Sequence, residues 1–178
     1  LASSDLKLSP HTEVLHATTV ERGFVFLYRS AELSLRLWQE SDPKESLHLA
    51  NVYVMAAFAL EGYVNDACAR VVDSEFWNRC ERKLNTEDKL RLLASVRRLN
   101  IDYSRHPWQS LREIFRDRDL FAHAKRHETS AIAKTAEGEP MVDTTQRGPI
   151  ERLLFDVERA RHHLEIVFDL VGRIESAV

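Results

Sequence analysis

The sequence predicts an all-α protein, and three observations carry that prediction. Apolar residues recur at helical spacing over long stretches. The 178 residues include only five Gly and five Pro, whereas sandwiches and barrels need a turn signal about every 8–12 residues. Helix-start residues stand at the heads of several periodic stretches. With 44% apolar and 30% charged residues, the chain has the balance of an ordinary globular domain. At this length one domain with a real core is expected over residues 1–178, with residues 1–10 as a flexible N-terminal tail.

The first helix is expected over residues 11–39, with Val20, Phe24, Leu27, Ala31, Leu35 and Trp38 along one side. Asp42, Pro43 and Glu45 then mark a restart, as a cap, a first helical residue and the acidic partner of a capping box. The second helix, running to about Val72, is apolar nearly all round and belongs in the middle of a bundle. Its most apolar stretch, NVYVMAAFALEGYV, is broken by Glu61 and is expected to be too short to span a bilayer. DSEFWNRCERKL reads as a shorter helix, and NTEDKLRLLASVRRL as another capped by Asn85 or Thr86. Pro107 stands near the start of the next, PWQSLREIFRDRDLFAHAKRH. Residues 129–148, small and polar with two Gly and a Pro, are expected to form a long loop with room for a short hairpin. The last helix is expected from Pro149 to about Ser176, with Ile150, Leu154, Val157, Leu164, Val167, Leu170 and Val171 along one side. The expected architecture is a bundle of about five to six helices with a long loop before the last.

A formal net charge of -3 excludes a uniformly basic nucleic-acid-binding domain but leaves room for a local basic patch. Cys68 and Cys80 show no framework spacing, so a reducing, cytoplasmic setting without a membrane partner is expected. The sequence contains neither a Gly-rich phosphate loop nor a nucleophile elbow, which argues against a P-loop ATPase or a serine hydrolase.

The helix around residues 110–128 poses the functional question. At about 100° per residue, Leu111, Ile114, Phe115, Phe121 and Ala122 share an apolar face, and Arg118 lies within it. Arg116, Asp119 and His123 share a neighbouring face. An unpaired charge in a core is very costly, so Arg118 needs a partner or an open cleft. Glu61 interrupts the second helix in the same way, in line with Val54, Phe58 and Asn65, and a Glu61–Arg118 pair is expected. From spacing alone, a pair that serves architecture, or an arginine that snorkels to the surface, is the better reading.

The run Arg118-Asp119-Leu120-Phe121-Ala122-His123 changes that balance. It resembles the signature of the HEPN superfamily: an arginine, a polar residue, and a histidine after a gap of four to six residues. Arg118 to His123 is the four-residue version; Arg116 to His123 would be the six-residue one, and Asp119 beside Arg118 favours the first. The setting, LREIFRDRD preceded by a long apolar helix containing ALEGYVND, is similar to HEPN domains across roughly residues 15–175. The resemblance implies a HEPN-like bundle and metal-independent RNA cleavage at a composite homodimer cleft, as in a toxin or defence effector. It also implies an alternative, since other members are non-catalytic nucleotide-binding or interaction modules. By this carry-over Arg118, His123 and Asp119 are the catalytic candidates, with Glu61 and Asn65 supporting them. Some toxin members continue the motif as His-x-Tyr, the tyrosine being modified by an antitoxin. Here that position is Lys125, so the resemblance does not extend to this route of control, and any antitoxin or regulatory partner is left unspecified.

The chemistry suits these residues. Cleavage without metal or cofactor uses the adjacent 2′-OH as nucleophile and leaves a 2′,3′-cyclic phosphate. A histidine can move the proton, and an arginine fork can hold the phosphate and the charge that develops on it. Asp119, four residues before His123, is placed to orient the ring, and Arg112, Arg116, Lys125 and Arg126 are expected to form a basic rim for RNA. One motif brings one histidine, and a two-fold dimer would bring a second. Competing readings are weaker. Asp119, His123 and His127 stand at i, i+4 and i+8, but ligands along one helix rarely converge on one ion, so no metal site is expected. His162 and His163 are expected at the solvated surface, and His106 has no visible partner. Trp38, Trp77 and Trp108 are expected at helix junctions, with Trp108 near enough to the motif to stack on a base.

Overall fold

The computed structural model describes residues 22–41, 46–97, 99–123, 133–136, 139–142 and 148–178. Within them the chain is all-α: seven α-helices, a 3-10 turn at Trp108–Ser110 and one two-stranded ribbon. The helices are α1 (Gly23–Glu40), α2 (Leu47–Val71), α3 (Ser74–Cys80), α4 (Thr86–Arg97), α5 (Leu111–Ala122), α6 (Pro149–Leu154) and α7 (Val157–Glu175). The tail over residues 1–10, the expected helix start near His11 and the capping box of Asp42, Pro43 and Glu45 lie outside the described residues. Inside the expected 129–148 loop, β1 (Ala133–Ala136) pairs antiparallel with β2 (Glu139–Val142), Ala133 opposite Val142.

The central helix is α2, as its all-round apolar character predicts. Eleven of its residues are buried, in neighbouring pairs such as Ala56 and Ala57, Ala59 and Leu60, Tyr63 and Val64, so burial wraps around the helix. It packs on α1, α4, α5 and α7. Leu49, Val52 and Leu60 are fully buried, and each such side chain contributes about 1.5–3 kcal/mol of transfer free energy. At Gly62 the backbone of α2 comes so near α1 that an added Cβ would lie 3.2 Å from Phe24 Cβ. With 25 residues, α2 is long and apolar enough by length and composition to cross a bilayer. This corrects the expectation drawn from its apolar middle alone; in the fold its length is spent packing against the surrounding helices.

Caps set the other boundaries. Asp73 accepts from the Phe76 N–H at 2.9 Å to start α3, and Asn85, of the two expected candidates, accepts from the Asp88 N–H at 2.9 Å to start α4. The last expected helix is two helices. Its chain turns at Phe155, and the Asp156 side chain accepts from the Arg159 N–H at 2.9 Å, starting α7 afresh. Tyr53 of α2 holds the break by donating to the Asp156 carbonyl at 2.8 Å. That internal cap is one reason seven helices stand among the described residues where about five to six were expected.

Candidate functional site

Helix α5 presents Leu111, Ile114 and Asp117 to the core. The charge at the middle of its buried face is therefore Asp117, 1% exposed, and not Arg118. Ala122, expected on that face, is exposed, while Phe115 and Phe121 are half-buried and Phe121 stacks on Tyr53 at 5.7 Å. Arg118 sits at the edge with 20% of its side chain exposed. Its guanidinium carbon lies 5.1 Å from the centre of the Phe115 ring and 5.9 Å from that of Phe58, cation–π contacts that cover the apolar stem.

The expected Glu61–Arg118 pair is present. Arg118 Nη1 donates to Glu61 Oε2 at 3.3 Å, while Nε and Nη2 donate to Asp119 Oδ1 at 2.9 and 2.7 Å. A guanidinium has five N–H donors. Among the described residues Glu61 and Asp119 take three, which leaves one on Nη1 and one on Nη2 for a further acceptor. His123 follows the last residue of α5, and its N–H donates to the Asp119 carbonyl at 2.9 Å. Its ring is exposed and has no hydrogen-bond or ion-pair partner among the described residues. The expected orientation of that ring by Asp119 is not made, because the Asp119 carboxylate is turned to Arg118.

Arg118, Asp119 and His123 line one cleft of about 860 Å³, together with Arg112 and Arg116 from the same helix. Phe115 and Leu120 supply its apolar wall, and Asn85, Thr86 and Glu87, from the start of α4, supply the opposite side. Among the described residues three arginines thus face two carboxylates, Glu87 and Asp119, so their balance in the cleft is basic on a chain of negative net charge. Arg112 Nε lies 2.9 Å from Glu87 Oε1. Arg116 is mostly exposed, with Nε 3.5 Å from Asp117 Oδ1. Lys125 and Arg126 lie outside the described residues, as does His127. Asn65 is placed away from the cleft: it accepts from Lys89 Nζ at 2.7 Å, tying α2 to α4. Among the described residues no group of three or more His, Cys, Asp or Glu is arranged to hold a metal ion.

Behind the cleft lies a cluster that sequence reasoning missed. Asp117 Oδ2 and Oδ1 accept from Arg159 Nε and Nη2 at 2.6 and 3.0 Å. His163, 1% exposed, brings Nε2 within 3.1 Å of Asp117 Oδ2, off the line of a good hydrogen bond, while its Nδ1–H donates to the Arg159 carbonyl at 2.9 Å. Burial alone would raise the Asp117 carboxyl, but the His163 and Arg159 groups beside it outweigh burial and hold it below the usual carboxylate range. Burial likewise opposes the charge of Arg159, and Asp117 reverses that, so the guanidinium is raised. The expectation that His163 is solvated is thus corrected; His162, its neighbour, is the exposed one. The signal was available, because Ala160, His163, Val167 and Leu170 recur at the spacing of an apolar helix face. Two smaller corrections follow. Trp108 is 3% exposed and cannot stack on a base, and His106 has a partner, with Nε2 2.9 Å from Asp169 Oδ2.

No known protein family, curated protein or solved structure matches the chain.

Proposed function

We propose that this chain is a HEPN-like, metal-independent endoribonuclease that works as a homodimer, in the manner of a toxin or defence effector. The observation that carries the reading is the convergence of Arg118, Asp119 and His123 on one open cleft, with Arg118 anchored to Glu61 on the neighbouring helix. In this reading the two N–H groups of Arg118 that have no acceptor among the described residues take a non-bridging oxygen of the scissile phosphate and hold the charge that builds there. The 2′-oxygen attacks phosphorus and forms the cyclic phosphate as the bond to the 5′-oxygen breaks. One proton leaves the 2′-OH and one reaches the departing 5′-oxygen. His123 performs one of these transfers and its copy on a second chain the other.

The test is cleavage of a 5′-labelled mixed-sequence RNA in EDTA, comparing the protein with His123→Ala at matched oligomeric state. Cleavage to 2′,3′-cyclic phosphate ends by the parent alone supports the reading. Equal inertness of two intact dimers would remove it. One observation favours a second reading, a non-catalytic nucleotide- or RNA-binding or protein-interaction module: Arg118 already gives three of its five donors to Glu61 and Asp119. That reading expects RNA or nucleotide binding, or capture of a protein partner, without cleavage.

A further inference from the structure

Arg112 and Arg118 face the same cleft in different circumstances. The Arg112 side chain is 70% exposed, yet Nε and Nη2 both point at the Glu87 carboxylate, 2.9 Å from Oε1 and 3.5 Å from Oε2. This is the two-pronged geometry with which a guanidinium takes either a carboxylate or a phosphate. The Tyr103 ring, its centre 5.8 Å from the guanidinium carbon, backs it from a second side. Glu87 sits in the first turn of α4, where the free N–H end of the helix favours its charge. It also has somewhere else to go. Arg91, one turn along α4, brings Nη2 within 3.8 Å of Glu87 Oε2 while resting mainly on Asp88 at 3.4 Å.

We propose that the Arg112–Glu87 pair is a second phosphate subsite of the cleft, occupied in the free protein by the protein's own carboxylate. This rests on the reading of the cleft as an RNA site and deepens it. A carboxylate and a phosphodiester each offer two acceptor oxygens and about one negative charge, so one can replace the other on the same fork. The exchange is near balance because an exposed ion pair is weak. Glu87 moves onto Arg91 as the phosphate arrives, which relieves the repulsion that would otherwise oppose entry. A ligand with one phosphate engages Arg118 or Arg112; a strand with successive phosphates engages both. The cleft is thereby biased toward RNA chains over mononucleotides, and Glu87 sets how tightly they bind.

The experiment uses a fluorescent 2′-O-methyl RNA oligonucleotide, which has no 2′-OH to react, so binding is read apart from cleavage. Anisotropy titrations compare the parent with Glu87→Gln, Arg112→Gln, the double variant, and Glu158→Gln as a charge-matched control on α7, 75% exposed. Glu87→Gln is expected to tighten binding about two- to fivefold, the size of one exposed ion pair. The gain should vanish when Arg112 is also replaced, and Glu158→Gln should not reproduce it. Equal binding by the parent and Glu87→Gln, or a gain that survives without Arg112, overturns the subsite while leaving the ribonuclease reading standing. If no form binds RNA, that reading falls and this inference with it.

Discussion

Replacing Asp117 by Ala tests whether the cluster behind the cleft holds the motif helix in place. The carboxylate is 2% exposed and takes two hydrogen bonds from Arg159, with His163 Nε2 3.1 Å away. Removing one partner of a fully buried ion pair costs about 3–5 kcal/mol, mostly because the other charge is stranded. Arg159 keeps 30% of its side chain in contact with solvent and can rehydrate in part, whereas His163 cannot. The expectation is therefore the low end, about 3 kcal/mol, or a fall in Tm of roughly 6–12 °C for a chain of this size. Urea unfolding followed by circular dichroism measures it. The pH dependence carries a second check. Asp117 has its folded carboxyl below the unfolded value near 3.9. Its contribution is then complete above about pH 4 and is lost as pH falls through the lower folded value. The gap between the parent and Asp117→Asn should close over that range. Replacing the cluster as a whole (Asp117→Leu with Arg159→Met and His163→Phe) should recover most of the loss, since no charge is stranded. An Asp117→Ala variant within about 0.5 kcal/mol of the parent, the range of an ordinary surface change, would refute the reasoning.

Three further outcomes are expected. Glu61→Gln removes one of two carboxylates from Arg118 and leaves Asp119, so on the proposed ribonuclease reading RNA cleavage should fall by about three- to tenfold while stability changes by less than about 1 kcal/mol; paired rate and unfolding measurements separate the two. The Cys68 thiol, fully buried and pushed up to about 12 mainly by that burial, should resist a thiol reagent in the native protein while Cys80 reacts, with both labelled after unfolding. Arg70, and then Tyr63, hold the Glu175 carboxyl well below the usual range, at about 2. Its stabilising contribution should be present above about pH 4.3 and fade as pH falls toward 2. Because the side chain is 47% exposed, that contribution should be no more than about 1 kcal/mol, measured as the difference in urea midpoint between the parent and Glu175→Gln.

The periodicity of the sequence made most of the bundle legible, because α1, α2, α4, α5 and α7 each bury one side or nearly all of themselves. It placed Glu61 against Arg118 for a sound reason: two helices that each interrupt an apolar stretch with opposite charges are answering one another. It misjudged which charge on α5 is buried. In Arg116-Asp117-Arg118-Asp119 the residues stand about 100° apart, so a small error in the axis of the apolar face exchanges Asp117 for Arg118 as the inward residue. The answer to Asp117 lies 42 residues on, at Arg159, and spacing along one helix cannot show which distant helix supplies a partner. The break at Asp156 was hidden for a similar reason. An aspartate within a periodic stretch reads as a surface residue until Tyr53, 103 residues away, is seen holding its carbonyl.

The two ion pairs of α5 also explain why an arginine stands between Phe115 and Phe121. Asp117 is drawn inward to α7 by Arg159 and His163, and Arg118, one residue on, is drawn sideways to α2 by Glu61. A helix gripped at adjacent residues by two different neighbours cannot rotate without breaking one grip. The guanidinium of Arg118 is thereby aimed into the cleft before any ligand arrives, with two donors unused among the described residues. His123 has the opposite character, standing just beyond the last helical turn with its ring open to the cleft. On the proposed ribonuclease reading, a positioned Arg118 would hold the anion while the exposed His123 moved a proton. On that reading, loosening the grip at Asp117 should lower RNA cleavage through the position of Arg118, although Asp117 is not among the residues that line the cleft.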